Sequence, residues 1–384
     1  MDSVEKYDLY SIPPRWLLLK IETAEGLIGW GEPILEGRTK TTAGAVEELM
    51  EGYVLGKNPE RIQDIWELLY RGGFYRGGPI LMSALSGIDQ ALWDIKGKRY
   101  GVPVYNLLGG PVRDKIKIYS WIGGDTPDQV VQGAINRVSE GFKSLKMNVA
   151  GKMERIETPL KVREIARRFR EVREAVGPDV DLAIDFHGRV SKSMFVRIAE
   201  KLEEYQPMFI EEPIINSHPR ELGELKSKIQ TPIALGERLY TRLDFRPYLE
   251  ERAVDILQPD LSHAGGITEC VKIASMADAY DVDMAFHCPL GPVALAACLQ
   301  VDAVSHNALI QEQSLGLHYN EGFTLTDYVV NAEVLTGENG YLSLPEGPGL
   351  GIELDESALA EVEGMGREWK NPVWRSEDGS LAEW

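Results

Sequence analysis

The chain has 384 residues, 43% hydrophobic and 26% charged, which allows a substantial core in one large domain or two and argues against global disorder. Its formal net charge of −19 argues against nucleic acid and against a membrane surface as partners, because both call for basic patches. An anionic small molecule would be repelled at long range too, so a site for one needs its own local cations.

The N-terminal stretch MDSVEKYDLYSIPPRW lacks the apolar core of a secretion signal. No apolar run approaches the ~18 residues of a membrane span, and a soluble, cytoplasmic protein is expected. Cys270, Cys288 and Cys298 form no CxxC pair, so neither a zinc ribbon nor a disulfide framework is indicated. The segment WLLLKIETAEGLIGWGEP (16–33) reads as two strands joined at Glu25-Gly26. Helical patterns follow near 41–54, 59–71 and 82–98. The last reads as amphipathic, with Leu85, Ile88, Leu92 and Ile95 at helical spacing. RGGFYRGG (71–78) is glycine-rich without the order of a phosphate loop, and is expected to be a turning or mobile loop.

From residue 116 onward, short apolar runs alternate with helical stretches. The expected strands are 116–123, 144–149, 181–188, 208–213, 232–238, 254–261, 282–289 and 308–314. Eight βα-type units in about 200 residues imply a closed parallel barrel. The fold expected is therefore α/β: a barrel over 116–329, with an α+β unit over 1–115. The segment 330–384, which lacks the barrel rhythm, is expected to pack back on that first unit.

Polar residues end these runs: Asp185, Glu211, Glu237, Asp260, His287 and Glu312, at intervals of 23 to 27 residues. A barrel with that period gathers them around its C-terminal mouth, where active sites form. Residues i and i+2 of a strand share a face, so Asp185 and His187 are expected to project together. Three carboxylates in one mouth repel one another unless a divalent cation joins them, and hard oxygen donors favour Mg²⁺. Lys146, in the inward phase of its strand with Asn148, would help hold an anionic substrate group. Asp260 beside His287 would fix its tautomer and raise its basicity, giving a general base, with His187 as the general acid. That set suits removal of a proton next to a carboxylate, with Mg²⁺ and Lys146 opposing the charge that develops. Glu312 would donate a hydrogen bond there only if protonated, which a crowded anionic site favours. His263 is expected to pack near the site, His218 and His306 to lie on the surface, and His318 to follow the last strand near the mouth. Cys288 is expected to face away as a small buried hydrophobe.

This constellation resembles the enolase superfamily, mandelate racemase subgroup. The stretches IPPRW, GFYRGGPILMSALSGIDQALWDIKGK, DFHGRV, FIEEP, LQPDLSHAGGITE, HCPLGP, QEQS and NPVWRSEDGSLAEW are similar to those of its D-galactonate dehydratase group, from about residue 12 to 384. The resemblance implies a (β/α)7β barrel capped by an α+β domain built from both chain segments. It implies one Mg²⁺ per subunit on Asp185, Glu211 (rather than Glu212) and Glu237. His287 would take the C2 proton with Asp260 behind it, His187 would protonate the departing C3 hydroxyl, and Glu312 would stabilise the intermediate. The product would be a 2-keto-3-deoxy sugar acid, making the chain a hydro-lyase acting on an aldonate, and a homo-oligomer. Where racemases of the subgroup carry Lys-x-Lys, this chain has Lys146-Met147-Asn148, which points to a one-base site with Asn148 as a substrate partner. Arg15 and the loop 71–78 would reach the sugar hydroxyls. D-gluconate or another aldonate, an ester- or lactone-cleaving metallohydrolase, and a non-catalytic sugar-acid binding protein stay open as alternatives.

Overall fold

A computed structural model describes residues 2–384 apart from 125, 216, 318, 319 and 321, so His318 lies outside the described residues. The first unit opens with an antiparallel meander of β1 (Val4–Ile12), β2 (Trp16–Thr23) and β3 (Ile28–Gly31). Three helices back it: α1 (Thr39–Leu49), α2 (Ile62–Arg71) and α3 (Pro79–Tyr100), followed by the short α4 (Val104–Leu107). The α1 pattern runs on through a wider turn at Met50–Val54.

Helix α3 differs from the amphipathic expectation. Ser83, Ser86, Asp89, Gln90 and Asp94 are buried along with its apolar residues. The helix is enclosed between the meander and the barrel, so its polar residues satisfy neighbours instead of facing water. Gly29 and Gly31 allow the close approach, since a Cβ on Gly31 would lie 1.9 Å from the Gly87 carbonyl oxygen.

The barrel strands are β4 (Lys115–Ile122), β5 (Ser144–Asn148), β6 (Asp181–Asp185), β7 (Ile210–Glu211), β8 (Ile233–Leu235), β9 (Ile256–Leu257), β10 (Asp283–Met284) and β11 (Gln311–Gln313). Seven helices separate them: α5 (Pro127–Ser139), α6 (Pro159–Val176), α7 (Lys192–Leu202), α8 (Pro219–Lys226), α9 (Arg242–Glu250), α10 (Gly266–Asp278) and α11 (Pro292–Val304). Seven of these eight strands fall inside the runs read from the sequence, and β4 begins one residue before its run, at Lys115. Neighbours pair in parallel from β4 to β10, β11 pairs with β4, and the bridge between Met284 and Ala308 joins the last gap.

After the barrel, β12 (Tyr341–Ser343) pairs antiparallel with β4, and α12 (Glu356–Val362) returns to the meander, where Lys20 Nζ lies 2.6 Å from Glu356 Oε2. The backbone N–H groups of Gly364 and Gly366 donate to Ser11. The segment thus packs on the first unit. Its end, a hairpin of β13 (Trp374–Arg375) and β14 (Leu381–Ala382), instead reaches the barrel mouth.

Helix α11 is buried on every side and carries Asp302 at 1% exposure, with neither carboxylate oxygen hydrogen-bonded. Burial pushes its carboxyl up to about 8, against the pull of Arg113. The folded state therefore holds a proton that the unfolded chain releases near pH 4. Stability should fall as pH rises from about 4 through 8. Asp302→Asn should flatten that slope and raise the unfolding midpoint by about 2 °C or more at pH 9 while changing it little at pH 5. Thermal unfolding at the two pH values checks this, and an equal shift at both would refute it.

Candidate active site

One side-chain alternation builds the site. An apolar plug fills the barrel: Tyr119, Ala183, Phe209, Ala234, Ile256, Ala285 and Ile310. Two residues further on, on the same face of each extended segment, stand Trp121, Asp185, Glu211, Gly236, Gln258, His287 and Glu312. The register sets Asn148, Asp185 and Glu211 level on three adjacent strands. Above the plug lies a cavity of about 720 Å³, lined among others by Lys146, Asn148, Asp185, His187, Glu211, Glu237, His287 and Glu312.

Lys146 is fully buried. Its Nζ lies 2.7 and 2.9 Å from the two oxygens of Glu211 and 2.8 Å from Glu312 Oε1. Burial disfavours its charge, but Glu211 and Glu312 outweigh that and hold it well above its ordinary value. This answers the expectation for Glu312. Burial favours its neutral form, yet Lys146, His287 and the Cys288 N–H (2.9 Å) together bring it below the ordinary value. Glu312 is therefore a carboxylate and accepts hydrogen bonds; a donated hydrogen bond is not what this arrangement offers.

His287 Nδ1 lies 2.8 Å from Asp260 Oδ2, on paired segments after β9 and β10. Its Nε2 faces Glu237 Oε2 at 3.4 Å and Glu312 Oε2 at 4.0 Å. Burial works against the imidazolium, but Glu237 and the Asp260 hydrogen bond carry His287 up to about 10. Asp260 Oδ1 also accepts from Ser262 N–H at 2.8 Å, so the carboxylate is held at both oxygens.

His187 reaches the cavity by another route than strand alternation. β6 ends at Asp185, and His187 has the left-handed φ of 53°. The turn lets the His187 N–H donate to Asp185 Oδ1 at 2.6 Å. Nδ1 lies 3.1 Å from the Trp384 backbone oxygen, and the two rings meet edge-on at 5.2 Å. That oxygen only accepts, so Nδ1 carries the proton and Nε2 is the atom left to work. Glu237 is also out of strand phase. It follows Gly236, whose φ is 150° and where a Cβ would lie 2.8 Å from Gln258.

Arg15 does not line the cavity. It is buried one layer behind, paired with Glu36 and donating to the Pro289 carbonyl at 2.9 Å. The loop 71–78 is absent from the lining as well, and Phe74 and Tyr75 stand 90% and 86% exposed. Cys288 is buried, as read from the sequence, and His218 and His306 are exposed. Sequence reading assigned no site role to four residues that stand here. Gln258, whose amide donates to Glu211 Oε2 at 2.8 Å, stands in phase with Ile256 and could have been found by alternation. His263 was set aside as packing, yet it lines the cavity. Trp384 and Trp369 form part of the lining from the distant tail, and no local signal announces them.

The donor set fits a hard dication. Asp185, Glu211 and Glu237 supply only oxygen, with no thiolate among them. Burial pushes the Asp185 carboxyl up, against His187 and Lys146, and nearby Glu237 adds to the rise. Among the described residues, no three acidic, histidine or cysteine side chains are gathered tightly enough to enclose an ion. Glu211 is instead turned onto Lys146 and Gln258. Each carboxylate oxygen has a second lone pair, so these hydrogen bonds and a cation are compatible.

Residues 129–358 match the enolase C-terminal domain-like family, and residues 14–109 match the N-terminal domain of mandelate racemase / muconate lactonizing enzyme. The D-galactonate dehydratase of Ralstonia pickettii is 54% identical over 99% of this chain and 100% of its own length. That of Pectobacterium atrosepticum is 52% identical over the same shares. A crystal structure of an enolase from Agrobacterium radiobacter with bound Na and L-malate superposes with a TM-score of 0.91, at 31% identity over 100% of both chains. With a sealed parallel barrel, a cap over its mouth and acids stepping from strand to strand, the chain belongs to the mandelate racemase / muconate lactonizing enzyme family of the enolase superfamily.

Proposed function

We propose that this chain is a hydro-lyase that dehydrates D-galactonate to 2-dehydro-3-deoxy-D-galactonate. The full-length identity to D-galactonate dehydratases supports the reaction and the substrate. The observation that carries the mechanism is the pair His187 and His287 facing one cavity from the third and seventh of eight strand positions, hence from opposite sides of the ring.

His287 Nε2 would take the proton from C2, with Asp260 holding Nδ1 and favouring the imidazolium that forms. His187 Nε2 would deliver a proton to the C3 hydroxyl, which leaves as water. The enol so formed tautomerises to the 2-keto acid. Lys146 places a fixed positive charge beside the carboxylate-bearing end of the substrate. Asp185, Glu211 and Glu237 are the residues that would hold Mg²⁺, the ion that dehydratases of this superfamily generally use. When bound, Mg²⁺ supplies positive charge where the substrate carboxylate becomes more negative. No helix among the described residues is long and apolar enough to cross a membrane, and a cytoplasmic setting is part of the same reading. Homo-oligomerisation is part of the same reading.

Purified protein with Mg²⁺ should convert D-galactonate to a product that reacts with semicarbazide. Preference for D-gluconate or another aldonate would keep the chemistry and move the substrate. An acid or alcohol released without a keto group would support hydrolysis instead, and binding without turnover would support a sugar-acid binding protein.

His287→Asn should abolish both dehydration and C2 proton exchange with solvent. His187→Asn should slow dehydration by about 10²–10⁴-fold while exchange at C2 persists. An unchanged dehydration rate would remove His187 from the acid role. Chelation should abolish turnover and Mg²⁺ should restore it; Asp185→Ala should block the restoration. Trp384→Ala should loosen the His187 ring and lower kcat by about tenfold, with C2 exchange retained, as measured by NMR in D₂O.

A further inference from the structure

His263 stands in the turn between β9 and α10, 7% exposed, in the cavity wall. Its Nδ1 lies 2.9 Å from Ser83 Oγ on α3. That hydroxyl has a single proton, and its oxygen also lies 2.6 Å from the Pro79 carbonyl oxygen, which can only accept. The proton therefore goes to Pro79, and Ser83 Oγ accepts from His263. Nδ1–H is the protonated nitrogen.

Nε2 is then the remaining polar atom of the ring. It lies 3.6 Å from Asp260 Oδ2, beyond hydrogen-bond length, and that oxygen already accepts from His287 Nδ1. A second proton on Nε2 would make the ring a buried cation. Burial opposes that charge and lowers the pKa of His263, against the pull of Asp260. Nε2 therefore keeps its lone pair on the side of the ring that shares Asp260 with His287.

The ring is also rigidly placed. The backbone N–H of His263 donates to the Asp260 carbonyl at 2.9 Å. The flanking turn is tied to the first unit through Gln90 to Ser262 (3.0 Å), Gly265 N–H to Ser86 Oγ (2.8 Å) and Trp66 Nε1 to the Gly265 carbonyl (2.8 Å). A buried acceptor held that firmly on a cavity wall suits a neutral O–H donor from the ligand. Past its reacting carbons, a sugar acid offers such donors at C4, C5 and C6.

We propose that His263 is a specificity-determining residue whose Nε2 accepts a hydrogen bond from a substrate hydroxyl beyond C3, on the side from which His287 takes the proton. The proposal rests on the sugar-acid reading given above. It is distinct from that reading because neither proton transfer uses His263.

The test compares kcat/KM for D-galactonate with its 4-deoxy and 5-deoxy analogues in wild type, His263→Leu and His263→Gln. Wild type should discriminate against one analogue by about tenfold or more. His263→Leu should lose that discrimination while C2 exchange on D-galactonate continues, and His263→Gln, which keeps an acceptor, should recover part of it. An equal loss on all three substrates, or unchanged ratios in the Leu variant, overturns the proposal alone. Wild type inert toward every sugar acid overturns the functional reading and this proposal together. Nitrogen-15 NMR of the folded wild type at neutral pH should show the Nδ1–H tautomer of His263; an Nε2–H tautomer or an imidazolium overturns the proposal even if the variants fail to fold.

Discussion

The interaction on which the site depends is the buried ammonium of Lys146 between Glu211 and Glu312. It joins β5, β7 and β11 from inside the ring, below the cavity and above the apolar plug. Two buried carboxylates at that depth carry a desolvation cost of several kcal/mol each without a partner. One ammonium answers both and fixes their rotamers. Glu211 then meets Gln258, and Glu312 meets the Cys288 N–H and faces His287. Five acids, Asp185, Glu211, Glu237, Asp260 and Glu312, surround this centre, against the ammonium of Lys146 within it and the guanidiniums of Arg168, Arg189 and Arg238 in the cavity wall, of which Arg238 is engaged by Glu212. A dication would offset the remaining negative charge and, with these cations, would give an anionic substrate a local field different from that of the strongly acidic chain as a whole.

A second constraint works through the first unit. α3 is buried on all sides, and its Ser83, Ser86, Asp89 and Gln90 bond to the turn and helix start that follow Asp260. Glu32, at the end of the meander, accepts from Gly291 and Ala294 N–H at the start of α11, just beyond His287. The cap thus holds the two loops that carry the proposed base and its aspartate. Buried polar contacts of this kind contribute modestly to net stability, but each is costly to leave unmade, so they specify one docking of cap on barrel.

What the sequence made legible follows from period. Apolar runs alternating with helical stretches located all eight strands, and the polar ladder, at intervals of 23 to 27 residues, lay at the C-terminal ends of the last six because inner residues recur every second position. Asp185, Glu211, His287 and Glu312 obey that phase. Where the backbone leaves the strand, the period stops being informative: His187 enters by a left-handed turn, and Glu237 follows Gly236. Helix α3 misled for a different reason, since a pattern of apolar residues cannot report that the polar face is also covered. Arg15 reads as a loop cation, but burial behind Pro289 depends on contacts with residues nearly 300 positions away. Trp384 and His263 likewise depend on distant contacts, 197 and 180 positions away.

The two histidines are held from different parts of the chain. Asp260 sets its carboxylate against Nδ1 of His287, which leaves the opposite nitrogen toward the cavity and strengthens it as a proton acceptor. The backbone oxygen of Trp384 fixes His187 in the same sense, Nδ1–H outward and Nε2 to the cavity. The same tautomer is therefore set twice, once from within the barrel and once from the tail. The proposed division of labour needs that placement: two ring nitrogens turned into one cavity from opposite sides of the ring, each with its far nitrogen already engaged.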